Sequence, residues 1–227
     1  MYKNVIAIGD SFMEGAELTF PLPDKTNVAG ALLAQHHGCD FYNLAQSGVG
    51  ILAIIEQLKM AKQGGILDDN SLIVYSIPPA GRIDLPMTDK SRFTVDYWYH
   101  MRILDGKFDL PVPDNIAQQR DYQIAKKLHS SLSDLDFMHL GEQIHYSGLG
   151  AFFKLLEGYS SCGIIGHPQY LLDTFYQQQT LELLHSQDKL LFVNEGFTGW
   201  AKANKYSIMP YGHPGADAHK ALFELLI

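Results

Sequence analysis

The hydrophobic pattern opens on a short apolar run, Val5-Ile6-Ala7-Ile8, that stops abruptly at Gly9-Asp10-Ser11. A run this short, with no polar alternation, predicts a strand buried on both faces, as in a parallel sheet covered by helices. The same punctuation recurs downstream. A helix is predicted over about 28–37, N-capped by Thr26 and stopped by Gly38, and a strand follows over about 40–44. Ile51, Ile54, Ile55 and Leu58 then return at helical spacing until Gly64-Gly65. A third strand over about 72–77 is entered from the Asp68-Asp69-Asn70 turn.

Beyond Pro78 the periodicity loosens into an aromatic and proline-rich insertion over about 78–115, which includes Phe93, Trp98, Phe108 and Pro111. A long irregular segment after a central strand is either a lid over the ligand end of the sheet or a cover for a hydrophobic flank. Helical spacing resumes over about 116–132 and 142–159. A fourth strand is expected near Gly163-Ile164-Ile165, then a helix over about 174–185 and a fifth strand over about 190–193. The closing helix carries His219, Leu222, Phe223 and Leu226 on its inward face. This alternation predicts a single α/β domain: a three-layer α/β/α sandwich around a mainly parallel five-stranded sheet with right-handed crossovers.

Composition narrows the function classes. The chain has 227 residues, 46% hydrophobic and 19% charged, which suits one globular domain with a large core. A net charge of −8, with its 17 basic residues dispersed, argues against nucleic acid as a partner. Cys39 and Cys162 stand alone, which fits a reducing compartment. The first apolar run is too short for a signal peptide and no run is long enough to span a bilayer, so a soluble, cytoplasmic protein is expected. The histidines show no metal-ligand spacing, and no glycine-rich phosphate cradle follows the first strand, so neither a metal nor a cofactor is expected.

Candidate chemistry lies at the two ends of the chain. Ser11 ends a buried strand, where ligands sit in open α/β sheets. A nucleophilic serine needs a base, and His213-Pro214, just before the closing helix, can supply one. Ser11 could instead be a helix cap, and His213 a turn histidine. Asp10 suits a structural role in the turn, accepting backbone N–H groups. His219, on an inward helix face, reads as a packed side chain.

These blocks resemble the SGNH, or GDSL-type, hydrolase family of esterases and acylhydrolases. The first block matches as Gly9-Asp10-Ser11-Phe12-Met13-Glu14-Gly15, the second as Asn43-Leu44-Ala45-Gln46-Ser47-Gly48, and the last as His213-Pro214 with His219 six residues on. The resemblance implies a flavodoxin-like SGNH-hydrolase fold and a serine esterase whose nucleophile is Ser11, whose base is His213, and whose oxyanion donors are the N–H groups of Ser11 and Gly48. It implies an ester substrate, such as a carbohydrate O-acetyl group or a small lipid ester.

Two departures stand out. Where the family carries Gly-x-Asn-Asp, this chain reads Ile77-Pro78-Pro79-Ala80-Gly81-Arg82, leaving Arg82 or Ser76 to replace the asparagine. Where the family places an aspartate shortly before the histidine, Pro210 and Tyr211 stand, leaving a Ser-His dyad or a recruited carboxylate such as Asp217 or Glu195. Asp217 also suits the first turn of the closing helix, where the dipole favours an acid. The departures keep a second reading open: a catalytically weakened member of the fold serving as a binding or structural module.

Overall fold

The structure, a computed structural model, describes residues 2–16, 18, 26–86, 92–96, 134–167, 174–210 and 212–227, with isolated residues between 123 and 131. Strand β1 (Asn4–Ile8) leads into a one-turn helix α1 (Ser11–Glu14), then α2 (Ala29–His37), β2 (Asp40–Asn43), α3 (Ile51–Gln63) and β3 (Ser71–Ile77). A hairpin of β4 (Arg82–Pro86) and β5 (Arg92–Asp96) comes next. The chain continues with α4 (Asp134–Leu156), β6 (Ser160–Ile165), α5 (Thr174–His185), β7 (Leu190–Leu191), α6 (Gly196–Ala203) and α7 (Ala216–Leu226).

Five strands form one parallel sheet in the order β2-β1-β3-β6-β7. Its central strands are apolar on both faces because helices cover both. Ile6 and Ile8 of β1, with Ile73, Tyr75 and Ile77 of β3, face a core shared with α3, α4 and α5. Val5 and Ala7, with Leu72 and Val74, face a second core shared with α2, α6 and α7. The period-2 alternation of a strand thus divides one apolar run between two cores, and the chain is the α/β sandwich that the pattern predicts.

The differences from expectation have local causes. Helix α2 starts one residue later than expected, and its N-cap is Val28 with no side-chain cap, so Thr26 does not hold that place. Strand β7 is shorter than expected because Phe192 adopts a left-handed backbone (φ 62°) that turns the chain out of the sheet. There its ring stacks on Phe197 and lies against Trp200. Helix α4 starts at Asp134, eight residues before the helix expected from the pattern. The helix expected over about 116–132, and Trp98 with most of the aromatic insertion, lie outside the described residues. No described helix is long and apolar enough to cross a membrane.

Gly163, at the β3–β6 pairing, shows how tightly the layers meet. A Cβ there would lie 2.1 Å from the Tyr75 ring, which itself packs edge-on against Phe152 at 5.1 Å. Gly163→Ala is expected to cost about 1–3 kcal/mol through overpacking, read from the urea midpoint of unfolding. An unchanged midpoint would mean the ring has room to move.

Candidate active site

The turn after β1 is held by a dense set of hydrogen bonds, and that set determines where Ser11 stands. Gly9 has φ 132°, and a Cβ on it would fall 2.2 Å from Ser76 Oγ, so only glycine fits between the two central strands. The Gln57 amide clamps Gly9 from α3, accepting its N–H at 2.7 Å and donating to its carbonyl at 3.2 Å. The Asp10 N–H donates to Ser76 Oγ (3.0 Å), and that hydroxyl donates to Asp10 Oδ1 (2.7 Å). Asp10 Oδ1 also caps α1 by accepting the Phe12 N–H at 3.3 Å. Asp10 therefore has the structural role that its residue type suggests, and Ser76 is engaged with it.

His213 comes from the far end of the chain. The segment before α7 folds back on itself: Met209 N–H donates to the His213 carbonyl (2.8 Å), Gly215 N–H to the Ser207 carbonyl (2.8 Å), and Thr198 Oγ1 to the Gly212 carbonyl (3.2 Å). Asp217 fastens this return. Its carboxylate accepts the Ser207 N–H at 2.9 Å, the Ser207 hydroxyl, and the Ala218 N–H at 2.9 Å. Desolvation alone would raise its carboxyl, and those bonds together outweigh it and hold the carboxyl below the usual range. Asp217 thus supports the turn that carries His213, while Glu195 is exposed just before α6. The result is that His213 Nε2 lies 2.7 Å from Ser11 Oγ, across 202 residues of sequence.

The second block closes the other side. Asn43 Nδ2 donates to the Met13 carbonyl (3.0 Å) and its Oδ1 accepts the Ala45 N–H (3.1 Å). The Glu14 carboxylate accepts both the Ser47 N–H (2.7 Å) and the Ser47 hydroxyl. Gly48 follows at φ 80°, exposed, with open space where a Cβ would project. The left-handed backbone, rather than close approach of neighbouring atoms, is what calls for glycine there. Among the described residues, neither the Ser11 nor the Gly48 N–H donates to a protein acceptor. Backbone donors left in this state are available to water or to a ligand.

Arg82 does stand beside this site, but its Nη1 is committed to protein: 3.3 Å from Asp10 Oδ2 and 3.1 Å from the Val49 carbonyl. Asp10 is fully buried and the Arg82 side chain is 13% exposed, so the ion pair is shielded from solvent. No three histidine, cysteine or carboxylate side chains among the described residues are grouped so as to hold a metal ion.

One neighbour was not singled out from sequence. His167, directly beyond the C-terminal end of β6, lies edge-on to Phe12 (4.8 Å between ring centroids) and 6.3 Å from the His213 ring. Burial lowers its pKa, reinforced by His213 and Arg82 and opposed by Asp10, so it stays a neutral imidazole at neutral pH. Its position just after a parallel strand was the available signal. His219 is a packed histidine, buried in α7 and edge-on to Phe197 at 5.2 Å.

No protein-family model matches this sequence, and no curated protein matches it at a significant level. Solved structures do match its fold. A lipase from a goat rumen metagenome superposes with a TM-score of 0.51 at 12% identity, over 99% of this chain and 95% of that one. A member of the lipolytic G-D-S-L family from Veillonella parvula gives 0.50 at 14% identity, over 99% and 97%. Phospholipase A1 from Streptomyces albidoflavus gives 0.50 at 12% identity, over 97% and 95%. The chain has the SGNH-hydrolase fold.

Proposed function

We propose that this chain is a serine ester hydrolase in which Ser11 is the nucleophile and His213 the general base. The observation that carries the reading is the 2.7 Å approach of His213 Nε2 to Ser11 Oγ at the ligand end of a parallel sheet. His213 Nε2 removes the hydroxyl proton as Ser11 Oγ attacks the ester carbonyl carbon. The carbonyl electron pair moves onto oxygen, and the Ser11 and Gly48 N–H groups receive that charge. Collapse of the tetrahedral intermediate expels the alcohol, which takes the proton from His213. Water, activated by the same imidazole, then releases the acid and restores Ser11.

The substrate class is a small ester, either an O-acetyl group on a carbohydrate or a small lipid ester. The engagement of Arg82 with Asp10 and Val49 supports a site with two backbone donors and no side-chain donor in place of the absent asparagine. Loss of one such donor costs roughly a hundred- to a thousandfold in rate elsewhere, so modest turnover is expected. A catalytically weakened binding module remains the second reading, favoured by the same missing donor.

The test is incubation with a fluorophosphonate probe and mapping of the adduct by mass spectrometry. A single adduct on Ser11 is expected, and no adduct, or one elsewhere, would sink the reading. Because Asp217 holds the turn rather than the imidazole, Asp217→Asn should retain at least a tenth of the short-chain ester activity, roughly the effect of weakening a hydrogen bond to a charged group. A loss as large as that of His213→Ala, with folding intact by circular dichroism, would place Asp217 in the catalytic unit.

A further inference from the structure

Strand β4 occupies the stretch where the family's third block would end, and its two polar side chains share one face. Residues two apart on a strand point the same way, and Arg82 and Asp84 both reach the loop 48–50. Ile83, between them, turns the other way and is buried beside Gly141 of α4. Arg82 Nη1 donates to the Val49 carbonyl at 3.1 Å. The buried Asp84 carboxylate accepts the Gly50 N–H through Oδ1 at 2.8 Å and the Ala53 N–H through Oδ2 at 2.8 Å. Gly50 permits this approach, since a Cβ there would lie 2.9 Å from both the Arg82 carbonyl and Asp84 Oδ2.

We propose that Asp84, with Arg82, is a positioning residue for the oxyanion loop: the β4 hairpin aims the Gly48 N–H by gripping the two residues that follow it. The proposal rests on the ester-hydrolase reading for its catalytic consequence, although not for its geometry. A carboxylate on two N–H groups of the first turn is strong because the acceptor is charged and the helix dipole favours it. The Val49 carbonyl and the Gly50 N–H belong to one peptide group, so the two grips fix the plane of that peptide from both edges. The Gly48 N–H lies two peptides earlier, between this plane and the Ser47 N–H held by Glu14, so its direction is limited from both sides. Where a direct side-chain donor is missing, precise aim of the remaining backbone donors carries more of the rate.

The test compares wild type, Asp84→Asn and Arg82→Gln by the rate of Ser11 phosphonylation per folded molecule, by the 15N order parameter of the Gly48 amide, and by amide hydrogen exchange at Gly50 and Ala53. Asp84→Asn keeps one acceptor and turns an NH2 toward the other N–H. It should slow phosphonylation about a hundredfold, the scale of a misplacement near 1 Å. The order parameter of the Gly48 amide should fall while the β1 and β3 amides stay protected from exchange. Arg82→Gln should act in the same direction, and it carries the test alone if Asp84→Asn does not fold. If Gly50 and Ala53 exchange faster but the Gly48 order parameter and phosphonylation match wild type, Asp84 only caps α3 and the proposal is overturned. If wild type takes no phosphonate, the hydrolase reading falls, and the proposal is decided by the Gly48 order parameter: lowered in the variants supports it, unmoved overturns it.

Discussion

Ser11→Ala and His213→Ala are each expected to lower kcat/KM on a short-chain chromogenic ester by roughly a thousandfold or more, because the proposed nucleophile and base would act as one unit. The two losses should be similar and not add in the double variant. The fold should survive both changes. The turn that presents Ser11 is held by Gly9, Asp10 and Ser76 rather than by the serine hydroxyl, and the return that presents His213 is held by Asp217 and Ser207. Thermal melts of the variants within a few degrees of wild type would confirm that the loss is chemical. Retained hydrolysis in Ser11→Ala would mean that another group attacks the ester.

The second large effect is acid lability. His145 on α4 and His219 on α7 are completely buried; among the described residues, both His145 nitrogens and His219 Nδ1 lack a hydrogen-bond partner. Burial pushes His145 down to about 3 and His219, helped by neighbouring His213, down to about 4. In the unfolded chain each takes up a proton near 6.5. Their contribution is therefore complete above about pH 6.5 and is lost as the pH falls toward the folded values, because the unfolded state binds the extra protons. At pH 4.5 each histidine should have cost roughly 2.5–3 kcal/mol, a large part of a typical domain's stability of roughly 5–15 kcal/mol. His145→Leu removes one of the two titrations and two unpartnered nitrogens. Urea unfolding at pH 7.5 and pH 4.5 should show a clearly smaller fall for His145→Leu than for wild type. Equal falls would show that His145 reaches a proton acceptor or water in the folded protein.

Phe12 packs against both His167 and His213. Its ring lies 4.8 Å from both His167 and His213, and a Cβ on Gly166 would fall 2.3 Å from it. The residue after Ser11 thus packs beside the His213 ring, which makes the first block a packing motif as well as the place of the proposed nucleophile.

Much was legible from the sequence because it depends on local period and punctuation. The apolar runs at 5–8 and 72–77 specified strands buried on both faces, Gly38 and Gly64-Gly65 marked helix ends, and Gly9-Asp10-Ser11 and His213-Pro214 named the residues that the fold brings together. What the tertiary structure alone decided are the partners. Asp217 suited the dipole of the closing helix or, less readily, a recruited carboxylate, and only the structure shows the Ser207 N–H and hydroxyl on it. Arg82 was legible as a cation near the site, but its engagement with Asp10 and Val49 required the β4 hairpin to lie against α3. Asp84 gave no signal, since one acid in a strand is ordinary until two helix N–H groups are found on it. His167 carried only its place after β6. Period and punctuation are properties of neighbours in the chain, which the sequence states outright; the direction of a hydrogen bond across 10 to 202 residues depends on how the layers and loops pack.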